Sequence, residues 1–133
     1  MELFFAALAD RTRLRLLNLI GNDEVCVCFL VEVIGPNQPK ISRHLAYLRR
    51  AGLVKARRQG KWAHYRITEP KNKRAAQVFR DLQEWLKEDP EMKQDHAKMI
   101  KMCCAPPQQQ PVSIKGAPRP ACVFRFKLNS YFA

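Results

Sequence analysis

The stretch Asn37-Gln38-Pro39-Lys40-Ile41-Ser42-Arg43-His44-Leu45 indicates a helix that contacts DNA. Asn37 is a good N-cap, because its side chain can accept hydrogen bonds from free amides of the first turn, and Pro39 follows where a missing N–H costs nothing. Ile41 and Leu45 repeat at helical spacing and predict a buried face. The other face carries donors that suit phosphates and base edges in a major groove. The DNA contacts predicted on this helix are Gln38, Lys40, Ser42, Arg43 and His44.

The segments on either side predict a winged helix-turn-helix. A short apolar helix, Phe29–Ile34, and a break at Gly35-Pro36 precede the DNA-contacting helix, which matches a helix-turn-helix. Residues 54–58 and 62–67 alternate as two strands, and Gly60 supplies the turn between them. The predicted fold class is therefore mainly α with a small β-hairpin. The basic hairpin tip suits backbone or minor-groove contact, and the predicted contacts there are Arg57, Arg58 and Lys61.

The charge balance also favours a nucleic-acid partner. Of 133 residues, 24 are Lys or Arg and 12 are Asp or Glu, which gives a net charge of +12 and a pI near 9.9. Residues 38–68 contain nine basic residues and no acidic one. An ordinary solvated helix face usually mixes the two signs. No segment is long and apolar enough to span a bilayer, and the first eight residues lack the basic start of a signal peptide. We therefore expect a cytoplasmic protein without a membrane partner.

A second motif, Cys26-Val27-Cys28, lies directly before the helix-turn-helix. Thiols at i and i+2 do not face each other on a helix, but they share one side of an extended segment. One soft ion could bind both only if this segment is extended or becomes so. Binding at Cys26 and Cys28, the predicted metal ligands, would then unwind or re-aim the start of the Phe29–Ile34 helix, which supports the DNA-contacting helix. The alternative is a pair of buried cysteines that act as small hydrophobic residues.

The motifs taken together resemble the ArsR/SmtB family of metal-responsive repressors. The resemblance runs from about Phe5 to about Leu86, and Cys-Val-Cys makes the arsenic- and antimony-responsive group the most similar one. It implies a winged-helix homodimer that binds palindromic double-stranded operator DNA and leaves it when trivalent arsenic or antimony binds as inducer. It also implies that the last helix pairs with the first helix across a two-fold axis. The motifs that carry it are Ala6–Leu17, Glu24–Cys28, Gln38–Leu45, Leu48-Arg49, Ala51–Val54 and Gly60–Trp62.

The chain departs from the arsenic-responsive pattern in one respect. Members of that group often have a third cysteine three residues after the pair, where this chain has Val31. Because trivalent arsenic prefers three thiolates, either the pair suffices or another cysteine completes the site. The candidates are Cys103, Cys104 and Cys122.

The histidines do not predict a zinc site. Some relatives build one on the last helix from paired His and carboxylate ligands at helical spacing. In this chain His44, His64 and His96 are widely scattered. Each is expected to lie at the surface or to face DNA.

The remainder predicts a helical scaffold and a tail. Leu3–Leu8 forms a short first helix, and Asp10 caps a second one that runs to Ile20. Pro70–Lys87 and Glu91–Met102 form two further helices. We expect a domain over residues 1–102 and a flexible Pro-rich tail over 103–133. Within this tail, residues 121–133 could be a strand, a docking segment, or an artefact of translation or cloning. The apolar stripe of the long helix comprises Ala75, Val78, Phe79, Leu82, Trp85 and Leu86.

Three alternatives to an arsenic-responsive repressor remain. A redox sensor could form a switching disulfide with Cys26, Cys28 or Cys103-Cys104. Cadmium or lead could replace arsenic as the inducer. An enzyme is not expected, since the chain has neither a Gly-rich anion loop nor a Ser/His/Asp constellation, and no small-molecule substrate is predicted.

Overall fold

A computed structural model of the chain describes residues 1–35 and 37–117, in which helices surround a small antiparallel sheet. This architecture confirms the predicted fold class. Within those residues, no helix combines the length and apolar character needed to cross a bilayer. The elements are α1 (Glu2–Leu8), α2 (Arg11–Ile20), β1 (Val25–Cys26), α3 (Val27–Ile34), α4 (Gln38–Arg50), β2 (Val54–Gln59), β3 (Trp62–Ile67), α5 (Lys73–Leu86), α6 (Pro90–Cys104) and two 3-10 turns, Pro107–Gln109 and Val112–Ile114.

Side-chain caps determine where four helices begin. Asp10 and Asn37 cap α2 and α4, as predicted. Asn72 accepts from two amides of α5, so this helix begins at Lys73 and the predicted start at Pro70 is wrong. Asp89 caps α6 in the same way, with the following proline in the first turn, where its missing N–H costs nothing.

The sheet has three strands in the order β1-β3-β2, one more than the predicted hairpin. The hairpin itself is confirmed, and Gly60 adopts a φ of +59° in its turn, a conformation that favours glycine. Strand β1 is only two residues long, and such a segment has too few positions to show an alternating pattern. It pairs with β3 so that Val25 lies opposite Tyr65 and Cys26 lies opposite His64.

One core joins the sheet to helices α2, α3 and α4. Leu16, Phe29, Leu45 and Leu48 are fully buried in it, and Phe79 of α5 joins them. Helix α6 packs across α2 and α3. α3 therefore has packing partners on several sides, including α4, the helix predicted to contact DNA.

The predicted apolar stripe of α5 divides into two faces. Phe79 and Leu86 are buried, whereas Val78 is 43% exposed and Trp85 is 71% exposed. The short α1 likewise exposes apolar side chains, namely Leu3 and Phe5. Both outer helices thus present apolar groups to solvent in the single chain.

The first part of the predicted tail packs against the domain. Helix α6 continues past residue 102 to Cys104, and Ile114 of the second 3-10 turn is buried against α3. The predicted boundary between 102 and 103 thus falls inside a helix. Residues 118–133, with Cys122 and the segment 121–133, lie outside the described residues. The division into domain and tail stays a prediction.

Candidate functional site: a basic helix and wing beside a thiol pair

Helix α4 presents a polar, basic face. The Asn37 side chain accepts a hydrogen bond from the Lys40 amide at 3.1 Å, which fixes the start of the helix. Ile41, Leu45 and Leu48 are buried and hold the opposite face against the core. This orientation leaves four of the five predicted contacts exposed, namely Gln38, Lys40, Ser42 and Arg43.

His44 points elsewhere. Its side chain is 16% exposed, and its Nδ1 atom lies 3.4 Å from a guanidinium nitrogen of Arg13 and 3.8 Å from a carboxylate oxygen of Asp10. Burial lowers the pKa of His44, while Asp10 acts in the opposite direction. The imidazole faces α2 and so helps to position α4, while the contact of His44 with DNA stays a prediction.

Arg13 is a residue whose role the sequence did not indicate. Its guanidinium donates to the carbonyls of Ala6 and Ala7 at 2.9 and 2.8 Å. The same group stacks over Tyr47 of α4, 4.2 Å from the ring centre. Arg13 therefore joins the end of α1 to α4.

The basic residues of the wing differ in their contacts within the chain. Arg58 and Lys61 are exposed, and the Lys61 ammonium lies 4.9 Å from the centre of the half-buried Trp62 ring. Arg57 is also exposed, but it forms an ion pair with Glu24, whose carboxylate accepts from Nε and Nη2 along one edge of the guanidinium. Before Arg57 could bind a phosphate, it would have to exchange this carboxylate.

The side chains of the two predicted ligand cysteines are in contact. The Sγ atoms of Cys26 and Cys28 are 3.0 Å apart, and both cysteines are free thiols. Cys26 is extended, with φ −66° and ψ 140°, and caps α3, whereas Cys28 lies in the first turn of that helix. The expectation that the pair needs an extended segment is therefore wrong, because the change from strand to helix between the two residues brings the sulfurs together.

The pair is poised to form a thiolate. The Cys28 thiol donates a hydrogen bond to the Cys26 sulfur, and this bond lowers the pKa of Cys26 to about 7. The same interaction raises the pKa of Cys28. Thiolates are the forms that bind soft ions and react as nucleophiles. The contact thus favours a thiolate at Cys26 at a lower pH than in a free cysteine.

The expected surface position of His64 is wrong. His64 is 3% exposed, and its Nε2 atom is buried without a hydrogen-bond partner among the described residues. In a two-stranded wing, β3 would lie at an edge of the sheet. Strand β1 pairs with β3 at His64, so β3 is the central strand, and helices α2 and α3 also pack against it.

The remaining candidate ligands do not complete a site. Cys103 is buried and Cys104 is half-buried, both at the end of α6, and Cys122 lies outside the described residues. Among residues 1–35 and 37–117, no three His, Cys, Asp or Glu side chains already stand together as a metal site. Any third ligand must therefore move toward the pair, or come from beyond the part that the structure describes.

A basic helix-turn-helix with a hairpin wing defines the winged-helix class of DNA-binding proteins. Solved structures agree with this class. Reduced HlyU from Vibrio cholerae N16961 matches with a TM-score of 0.54 at 26% identity, over 63% of this chain and 85% of that one. The transcriptional repressor BigR from Xylella fastidiosa matches with a TM-score of 0.50 at 33% identity, over 61% of this chain and 80% of that one.

Sequence relatives identify the family. The family model described as "Bacterial regulatory protein, arsR family" matches residues 10–56. An HTH-type transcriptional regulator of Methanocaldococcus jannaschii is 39% identical over 59% of this chain and 89% of its own length. The arsenical resistance operon repressor of Escherichia coli is 52% identical over 65 residues, or 48% of this chain and 56% of its own length. The chain belongs to the arsR family of regulatory proteins, and it spans about half the length of the first curated relatives it matches.

Proposed function

We propose that this protein is a homodimeric transcriptional repressor that binds operator DNA and releases it when arsenite or antimonite binds Cys26 and Cys28. Such a protein would bind DNA in the cytoplasm. The observation that carries the proposal is the 3.0 Å contact between the two sulfurs at the start of α3. Relatives named as an arsenical resistance operon repressor and an arsenic resistance transcriptional regulator support arsenic as the inducer.

DNA binding is supported by the one-sided basic surface. Lys40 and Arg43 are exposed on α4, and Arg58 and Lys61 are exposed at the wing. Phosphate contacts by such residues release counterions, so operator affinity should fall steeply as salt increases. In a dimer, two α4 helices would read successive major grooves about 34–36 Å apart.

Release is supported by the packing of α3. Cys26 occupies the N-cap position of this helix, and α3 packs directly against α4. An ion held by both sulfurs would fix the cap in a new geometry and shift α3, so that α4 no longer fits the groove. Coupling free energies of this kind are typically about 1–3 kcal/mol, which corresponds to roughly 5- to 150-fold in affinity.

The test of DNA binding replaces one exposed cation at a time. We expect Arg43→Ala to weaken operator binding by about tenfold or more, because it removes a groove contact. Lys93→Ala is the matched control, since it removes an exposed cation from α6. Binding is measured by fluorescence anisotropy at several salt concentrations, and equal affinities for the two variants would contradict the assignment of α4.

The test of induction measures DNA release by arsenite. Cys26→Ser and Cys28→Ser should each keep operator affinity and lose release, because neither leaves a pair of thiolates. Cys104→Ser, on α6, is the matched control and shows whether a third sulfur contributes. A Cys26→Ser variant that still leaves the operator at the wild-type arsenite concentration would refute the role of this pair. Cadmium and lead are included as competing inducers.

A redox-sensing repressor is the second candidate, and the same contact favours it. Two sulfurs 3.0 Å apart, one with a pKa of about 7, suit oxidation to a disulfide. With hydrogen peroxide as oxidant, the two thiols give up two electrons and two protons, and two waters form. Release by peroxide without any response to arsenite would favour this candidate.

A further inference from the structure

His64 lies on β3, the strand that pairs with the one that contains Cys26. It is in the middle of β3, where its backbone pairs with Cys26 of β1 on one side and with Arg57 of β2 on the other. Directly opposed residues of an antiparallel ladder project to the same face, with their Cβ atoms about 4.5–5.5 Å apart. The His64 side chain therefore starts within reach of the Cys26 sulfur.

The environment of His64 calls for a partner. The residue is 3% exposed, and its Nε2 atom has no hydrogen-bond partner among the described residues. Buried polar atoms in folded proteins are nearly always paired, so each exception needs an explanation. A neutral imidazole nitrogen with a free lone pair is also a common metal ligand in proteins.

We propose that Nε2 of His64 joins the sulfurs of Cys26 and Cys28 in a mixed nitrogen–sulfur site for a divalent thiophilic cation such as Cd²⁺ or Zn²⁺. This inference rests on the proposed function only in so far as both use the thiol pair. Two thiolates would balance the charge of the cation, and the neutral imidazole would supply a third ligand without adding charge. Cadmium and zinc accept both sulfur and imidazole nitrogen.

The site forms only when the ion arrives. The three side chains do not yet stand as a ligand set, so the imidazole must turn toward the sulfurs. Arsenite differs from the divalent ions, because trivalent arsenic bonds preferentially to sulfur and has no need of an imidazole. His64 should therefore affect the affinity for divalent cations and leave that for arsenite unchanged.

The experiment titrates the full-length protein with CdCl₂ and, separately, with arsenite. For His64→Gln we expect cadmium affinity to fall at least about tenfold, with arsenite affinity within about twofold of wild type. His96→Gln is the matched control, because His96 is half-buried on α6 and should change neither affinity. Cadmium binding is followed by thiolate-to-metal absorption, and folding of each variant is checked by circular dichroism.

A second measurement needs no substitution. In wild-type protein with ¹⁵N-labelled histidine, the Nε2 resonance of His64 should shift strongly on saturation with Cd²⁺ and show coupling to ¹¹³Cd. An unmoved resonance, or equal cadmium affinity for His64→Gln and wild type, would overturn the inference. Neither result depends on operator binding. Loss of the arsenite response in Cys26→Ser tests the proposed function separately.

Discussion

The contact between Cys26 and Cys28 depends on a change of backbone direction. Along a strand, residues two apart are separated by almost 7 Å, which is too far for touching sulfurs. Here Cys26 ends a strand and Cys28 lies in the first turn of a helix, so the chain turns and the sulfurs approach to 3.0 Å. The hydrogen bond between them then stabilises a thiolate at Cys26. A single turn of the chain thus provides both the geometry and the reactivity of the pair.

Removing the donor from this pair should reduce the reactivity of Cys26. In Cys28→Ala we expect the pKa of Cys26 to rise from about 7 toward its ordinary value of 9.0, because the hydrogen bond is the main cause of the lowering. At pH 7 the thiolate fraction would fall roughly 50-fold, while the higher pKa would raise intrinsic nucleophilicity roughly eightfold. Alkylation by iodoacetamide should therefore slow by about sixfold, as measured by mass spectrometry.

The pH profile provides the check on this prediction. In wild-type protein, alkylation of Cys26 should rise with pH and reach half its plateau near pH 7, since the thiolate forms as pH passes the pKa. In Cys28→Ala the midpoint should lie higher. Identical midpoints in the two proteins would contradict the hydrogen-bond explanation.

At the scale of elements, α6 packs against α3 from outside and holds it in place. It packs against both α2 and α3, and Lys98 donates to the carbonyl of Val33 near the end of α3 at 3.2 Å. Arg15 of α2 forms two hydrogen bonds, of 2.7 and 2.9 Å, with the buried carboxylate of Asp95 on α6. This ion pair determines how α6 docks, because a buried carboxylate needs its partner.

Breaking that ion pair should destabilise the fold. We expect Arg15→Met to lower the free energy of unfolding by about 3 kcal/mol, because it leaves Asp95 buried without its cation. Urea denaturation measures the change. Arg11→Met is the matched control, since Arg11 pairs with Asp89 at the exposed edge of the same contact and solvent screens that pair. Equal losses in the two variants would show that burial does not decide the effect.

At the scale of the whole molecule, the single chain leaves apolar surface uncovered. Trp85 and Val78 of α5 and Phe5 and Leu3 of α1 are exposed. Exposed apolar groups on two helices favour a partner surface, and a second copy of the chain is the partner that the family resemblance implies. Dimerisation would also supply the second α4 that a palindromic operator requires.

A charge on this surface should separate the two copies. We expect Trp85→Glu to raise the dimer dissociation constant at least about 30-fold, because a large aromatic side chain at an interface is commonly a dominant contact. Sedimentation equilibrium measures the constant. Val112→Glu is the matched control, because Val112 is highly exposed but lies outside α1 and α5. A wild-type chain that sediments as a monomer would refute the proposed dimer.

The sequence predicted the parts of the fold that have strong local signals. Asn37, Ile41 and Leu45 specify α4 through capping and periodicity, and Gly60 specifies the hairpin turn. Strand β1 left no such signal, because it is two residues long and exists only through pairing with β3. The burial of His64 depends on that pairing, so it could not be predicted. Nor could the inward turn of His44, which depends on packing between α2 and α4.

The Arg57–Glu24 pair has a consequence for thermodynamic measurements on operator complexes. When Arg57 exchanges Glu24 for a phosphate, the DNA releases a condensed cation, but the freed Glu24 carboxylate attracts a cation in turn. Such a contact would contribute to affinity and leave almost no trace in a plot of affinity against ionic strength. Counting contacts from that slope would therefore understate what the wing contributes.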